Sequence, residues 1–144
     1  HKNPGRNGPE MRSRVGHRMP LARTGIGKAL LLDDSQEEWQ RLYQVSLPVG
    51  GKNLHWPQHP EQSWEQFEQR MREYVAGGYA FALEDNEPSI RCVAAPVRDA
   101  SRRIVAGISI ASTVPYMPLE KMAELIPLVK QVAARLSAEL GAKP

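Results

Sequence analysis

The spacing of hydrophobic positions changes several times along the chain, and each change marks an element. After Trp64, apolar residues Phe67, Met71, Tyr74 and Val75 recur three and four apart, the period of a helix with one buried stripe. Ser63 and Gln66 form a capping box ahead of it, and Gly77-Gly78 ends it, since glycine accepts a left-handed backbone. Spacing then tightens to runs that read as three strands, about 79–84 ("YAFALE"), 90–98 ("IRCVAAPVR") and 104–113 ("IVAGISIAST"). "DASRR" joins the last two as a hairpin turn. Pro96 cannot donate to a ladder, so its strand is expected to lie at an edge or to carry a bulge there. Helical spacing returns after Pro118: Met122, Leu125, Ile126, Val129, Val132, Ala133 and Leu136 share one face of a helix running to about Leu140 and stopping at Gly141. Pro127 is expected to kink it.

The first half is more punctuated. Residues 1–3 read as the end of a strand and "NPGRNGPE" as a turn-rich connection. Residues 10–18 set Met11, Ser13 and Val15 against Arg12 and Arg14, the alternation of a half-buried strand. Thr24 can cap a short helix from Gly25 to Leu32. Ser35 and Glu38 make a capping box for another helix reaching about Val45, and residues 46–62 are a Pro- and Gly-rich loop. Hairpin-linked strands beside helices, without strand–helix alternation, predict an α+β domain: an antiparallel sheet with helices packed on it and a long last helix.

At 144 residues, with 41% hydrophobic and 24% charged residues, the composition is that of one soluble globular domain. One cysteine forms no internal disulfide, and no apolar run approaches membrane-spanning length, so no membrane association and a cytoplasmic location are expected. Charge is distributed unevenly. Residues 1–28 hold seven Lys or Arg against Glu10, giving +6, and the remainder is −3. Such a segment either attracts anions or forms a solvated strand face. It lacks interleaved aromatics and a recognition helix, so it is not expected to read DNA itself. "HKNPGRNGPEMRSRVG" opens as if inside a longer protein, and the chain is expected to be a fragment or to lack its first segment.

Candidate chemistry centres on "PLARTGIGKALL", residues 20–31. A nucleotide phosphate loop needs G-x-x-x-x-G-K-[ST], and Ala22 and Ala29 break that pattern. What survives is a helix start whose N–H groups at Gly25, Ile26 and Gly27 can meet a carboxylate or phosphate, or a structural turn capped by Thr24. Cys92, in mid-strand, reads as a small buried hydrophobe or as a nucleophile, though no histidine–acid pair stands by to activate it. Ser109 is a core hydroxyl or a ligand contact, and the nucleophile-elbow pattern is absent around it. His55 and His59 are four apart, but Pro57 and Pro60 oppose the helix that metal binding would use, and no metal or cofactor is expected. The acidic pairs Asp33-Asp34 and Glu84-Asp85 read as caps or solvated turns.

"HRMPLARTGIGKALLL", "GGYAFALEDNEPSIRCVAAPVRDASRRIVAGISIAS" and the closing "LSAELG" together resemble the effector-binding domain of the IclR family of bacterial transcription regulators, from about Gly16 to Gly141. The resemblance implies a GAF-like fold with a small-molecule pocket, and a DNA-binding winged helix-turn-helix domain preceding it outside this chain. It implies a ligand-sensing domain rather than an enzyme, in a dimer or tetramer that represses or activates transcription at operator DNA. It implies a small organic acid effector, whose carboxylate meets the backbone at Thr24, Gly25, Ile26 and Gly27. Cys92 and Ser109 would line the pocket, with Met11, Met19 and Ile90 closing it. Some relatives carry an acidic residue where this chain has Ala82 and a second serine where it has Ala111. These losses remove polar contacts and enlarge the pocket, so the effector need not be glyoxylate- or pyruvate-like; similarity to regulators of sugar-acid catabolism implies an aldonate-type sugar acid. The competing readings are a small cysteine-dependent enzyme and a pure oligomerisation module.

Overall fold

Residues 15–16, 18–46 and 63–143 are described in a computed structural model of the chain. The elements follow in the order α1 (Gly25–Leu30), α2 (Gln36–Ser46), α3 (Trp64–Gly77), β1 (Ala80–Leu83), β2 (Ile90–Arg98), β3 (Ile104–Thr113) and α4 (Leu119–Glu139). Short 3-10 turns at Leu21–Arg23 and Val114–Tyr116 introduce α1 and α4. The three strands form an antiparallel sheet in chain order, with β2 central, and helices lie on both faces. This is the expected α+β architecture.

Register explains how the sheet separates two cores. Ala82 pairs with Cys92 and Ala80 with Ala94; on the other side Cys92 pairs with Ala111, Ala94 with Ser109 and Pro96 with Gly107. Because side chains alternate between faces, these small residues share one face. Helices α1 and α3 close over it, with Phe67, Met71, Tyr74, Ala29 and Leu32 forming a core against Ala80 and Ala94. The opposite face carries Val93, Ala95 and Val97, packed against Met117, Met122, Val129 and Ala133 at the start of and along α4. Full burial of side chains such as Phe67, Met71 and Met122 is worth roughly 1.5–3 kcal/mol each before entropy is counted.

The caps act as the sequence predicts for α3: Ser63 Oγ accepts from the Gln66 N–H, and Gln66 Oε1 accepts from the Ser63 N–H. Gly78 ends that helix at φ 68°. Trp39 of α2 is buried and donates its indole N–H to the Leu31 carbonyl at 2.6 Å, tying α2 to the end of α1.

Some expectations change. Helix α1 stops at Leu30, short of Leu32. Val75 is 45% exposed and lies outside the α3 stripe, while Leu136 is 41% exposed at the edge of the α4 face. Val15 and Gly16 form an exposed turn, so no buried strand reaches them; residues 1–14, including the rest of that expected strand, lie outside the described residues. Pro96 sits in the central strand, but at a place where β2 has outrun β1, whose pairing ends at Ala94, and a register shift follows between Val97 and Arg98. The proline therefore meets both an edge and a bulge. Helix α4 continues through Pro127, which lies on its exposed side.

Candidate functional site

The site is built around the first turn of α1. Thr24 is extended, at φ −114° and ψ 150°, and its Oγ1 accepts from the Gly27 N–H at 3.0 Å. Its carbonyl accepts from the Lys28 N–H at 2.9 Å. The Gly27 amide that sequence reasoning offered to a ligand is thus already capped by Thr24.

Both glycines are there for close approach. A Cβ on Gly25 would stand 2.4 Å from Cys92 Sγ, and one on Gly27 would stand 2.1 Å from the Leu21 carbonyl oxygen. Any side chain at either position would lift α1 from its seat. Ile26, between them, is 38% exposed and lies over Gly107 of β3.

Cys92 is buried beneath Gly25. Burial pushes its thiol pKa up, and main-chain N–H groups of Gly25 and Ala82 aimed at the sulfur, together with Lys28, only partly oppose that. A thiol so placed stays protonated at neutral pH, which is the wrong direction for a nucleophile. Ser109 lies on the same face of the sheet, half-buried and paired with Ala94. Ile90 begins β2 on this face, half-buried, and Met19 precedes the first 3-10 turn with 37% exposure. The structure therefore brings Gly25, Ile26, Cys92 and Ser109 to one face; Met11, His55 and His59 lie outside the described residues. Among the described residues no group of three His, Cys, Asp or Glu is placed to hold a metal ion, and no helix is long and apolar enough to cross a membrane.

Sequence reasoning did not find the partner of the most buried charge among the described residues. Lys28 is 1% exposed and pairs with the Asp85 carboxylate, while donating to the Phe81 carbonyl at 3.0 Å. Asp85 also accepts from the Leu83 N–H at 3.2 Å, and its own carbonyl accepts from Arg23 Nε at 2.8 Å. The acidic pairs differ: Asp33-Asp34 lies in an exposed turn as expected, with Asp33 paired to Arg98, whereas in the part-buried Glu84-Asp85 pair Asp85 neutralises Lys28 and Glu84 pairs with Arg91. A lone lysine inside "GIGKALLL" was the available signal, because a charge within an apolar helix needs a buried partner. Nearby Tyr74 is also buried, and that burial raises its phenol pKa.

Residues 1–138 match the family described as bacterial transcriptional regulator IclR C-terminal, and the chain belongs to it. It is 28% identical over 131 residues to the HTH-type transcriptional regulator KdgR of Escherichia coli (strain K12), covering 91% of this chain and 48% of that protein. It is 29% identical over 142 aligned positions to the HTH-type transcriptional repressor AllR of Salmonella paratyphi A, covering 90% of this chain and 46% of that protein. The chain thus spans about half the length of these curated relatives, which are transcription regulators and not enzymes. Among solved structures, the Agobacterium tumefaciens repressor BlcR superimposes with a TM-score of 0.78 at 26% identity, covering 96% of this chain and 53% of that one. The Thermotoga maritima IclR gives 0.74 at 27% identity, covering 95% and 53%.

Proposed function

We propose that this chain is the small-molecule-sensing domain of a DNA-binding transcription regulator, and that its effector is a small carboxylate of the sugar-acid type. The observation that carries the reading is the seat of α1. In a chain of this family, the helix start at Thr24–Gly27 rests directly on a sheet face made of Ala82, Cys92, Ala94, Ser109 and Ala111. Small side chains let the helix seat closely on this face, and half-buried Ser109 carries a hydroxyl on it. An acid group seated at this turn takes the Gly27 amide over from Thr24 Oγ1, so binding exchanges one acceptor for another. Ile26, Ile90 and Met19 supply apolar walls. The whole protein joins this domain to an amino-terminal winged helix-turn-helix domain, works as a dimer or tetramer, and binds operator DNA. Effector changes that binding only through a difference in affinity between two arrangements of the assembly.

Thermal denaturation against a panel of aldonic, uronic and 2-keto acids tests the reading. One acid class is expected to raise the midpoint in a concentration-dependent way. A folded sample that no small acid stabilises would overturn it. The cysteine-enzyme alternative has nothing in its favour here, since Cys92 is buried, its thiol pKa is raised and the relatives are regulators.

A further inference from the structure

The turn joining β1 to β2, Glu84 to Ser89, is tethered from both faces of the sheet. On the α1 face, Lys28 holds the Asp85 carboxylate and Arg23 Nε donates to the Asp85 carbonyl at 2.8 Å. On the α4 face, Arg91 donates from Nε to Glu84 Oε1 at 3.3 Å and from Nη1 to the Met117 carbonyl at 3.4 Å. The Val114 N–H, just before α4, donates to the Ser89 carbonyl at 2.9 Å. Met117 and Met122, at the start of α4, are buried.

The turn is also strained. Glu84 and Ser89 lie at φ 66° and 61°, a left-handed backbone that non-glycine residues hold only when their surroundings impose it. Four of these tethers end on one of these two residues or on Asp85, adjacent to Glu84; the fifth runs from Arg91, which holds Glu84, to the Met117 carbonyl. Two neighbouring acids thus reach opposite ways: Asp85 to α1 and Glu84, through Arg91, to α4.

We propose that this turn is a coupling element, in which the Lys28–Asp85 and Glu84–Arg91 ion pairs, joined through one strained stretch of backbone, make the seat of α1 and the start of α4 settle together. The four side chains are positioning residues and touch no effector. Only the signal to be carried rests on the effector-sensing reading; the mechanical link does not.

Amide hydrogen exchange on the full chain, without added ligand, tests the link. In the Lys28→Met/Asp85→Asn double variant, which leaves no unpaired buried charge, exchange is expected to rise about tenfold both in α1 and at Met117–Leu125, with α3 amides changing less than about twofold. Arg91→Met, at a half-exposed position, is expected to raise exchange in α1 from the other side, as coupling must be reciprocal. If each variant loosens only its own face, or if α3 amides rise equally, the proposal is overturned. Should the double variant fail to fold, the Arg91→Met result decides alone. Because no effector is used, a failure here leaves the sensing reading intact, and a failed acid screen leaves this link intact.

Discussion

Gly25 and Gly27 look alike in the sequence but answer to different neighbours. Gly27 faces main chain at Leu21, which cannot move aside, whereas the first obstacle at Gly25 is the single sulfur of Cys92. Gly27→Ala is therefore expected to cost at least about 1–3 kcal/mol in urea denaturation in any background. The cost of Gly25→Ala is expected to fall in a Cys92→Ala background, where the nearest atom becomes Ala94 Cβ at 3.4 Å, an ordinary contact. Equal costs in both backgrounds would mean that the sulfur is not the obstacle. Cys92 itself is expected to react with a thiol reagent at neutral pH at least about a hundredfold more slowly in the folded than in the denatured chain, because burial both covers it and keeps it protonated. Glycines at a helix start stood out in the sequence as a candidate site. The reason for them was not, because spacing along the chain does not reveal that Cys92 lies beneath Gly25. The partner of Lys28 was hidden for the same reason, since Asp85 is 57 residues away.

Elements were more legible than contacts. The strands 90–98 and 104–113 fall where alternation and turn residues placed them, and the capping box of α3 is made by the residues the sequence named. Ser63→Ala is expected to cost about 1 kcal/mol, read as a lower thermal midpoint. What spacing could not supply was the central position of β2, since strand order is a property of pairing between segments. The edge predicted for Pro96 is real only because β1 is short. Between elements, Arg98 of β2 donates to Asp33 after α1 through both guanidinium Nη atoms, and that hydrogen bonding holds the Asp33 carboxyl below its ordinary value of 3.8. A depressed folded pKa stabilises above the unfolded value and stops doing so as pH falls through the folded one. Arg98→Gln is thus expected to lower stability at pH 7 and to flatten the acid limb below about pH 4, checked by thermal melts across that range.

At the scale of the whole molecule, family membership is carried by several weak motifs at consistent spacing, which is why the architecture could be read from sequence. The identity of the proposed effector could not, since no single residue type in the chain specifies it. The same architecture contains an instrument for finding it. Trp39 is 7% exposed, with its indole N–H on the carbonyl that closes α1. A shift of α1 on its seat lengthens that bond and changes the polarity around the ring. With Trp56 and Trp64 replaced by Phe, the emission of Trp39 would be a built-in optical readout of occupancy. Candidate acids could then be titrated without a label and without DNA, as a direct test of the proposed sensing role.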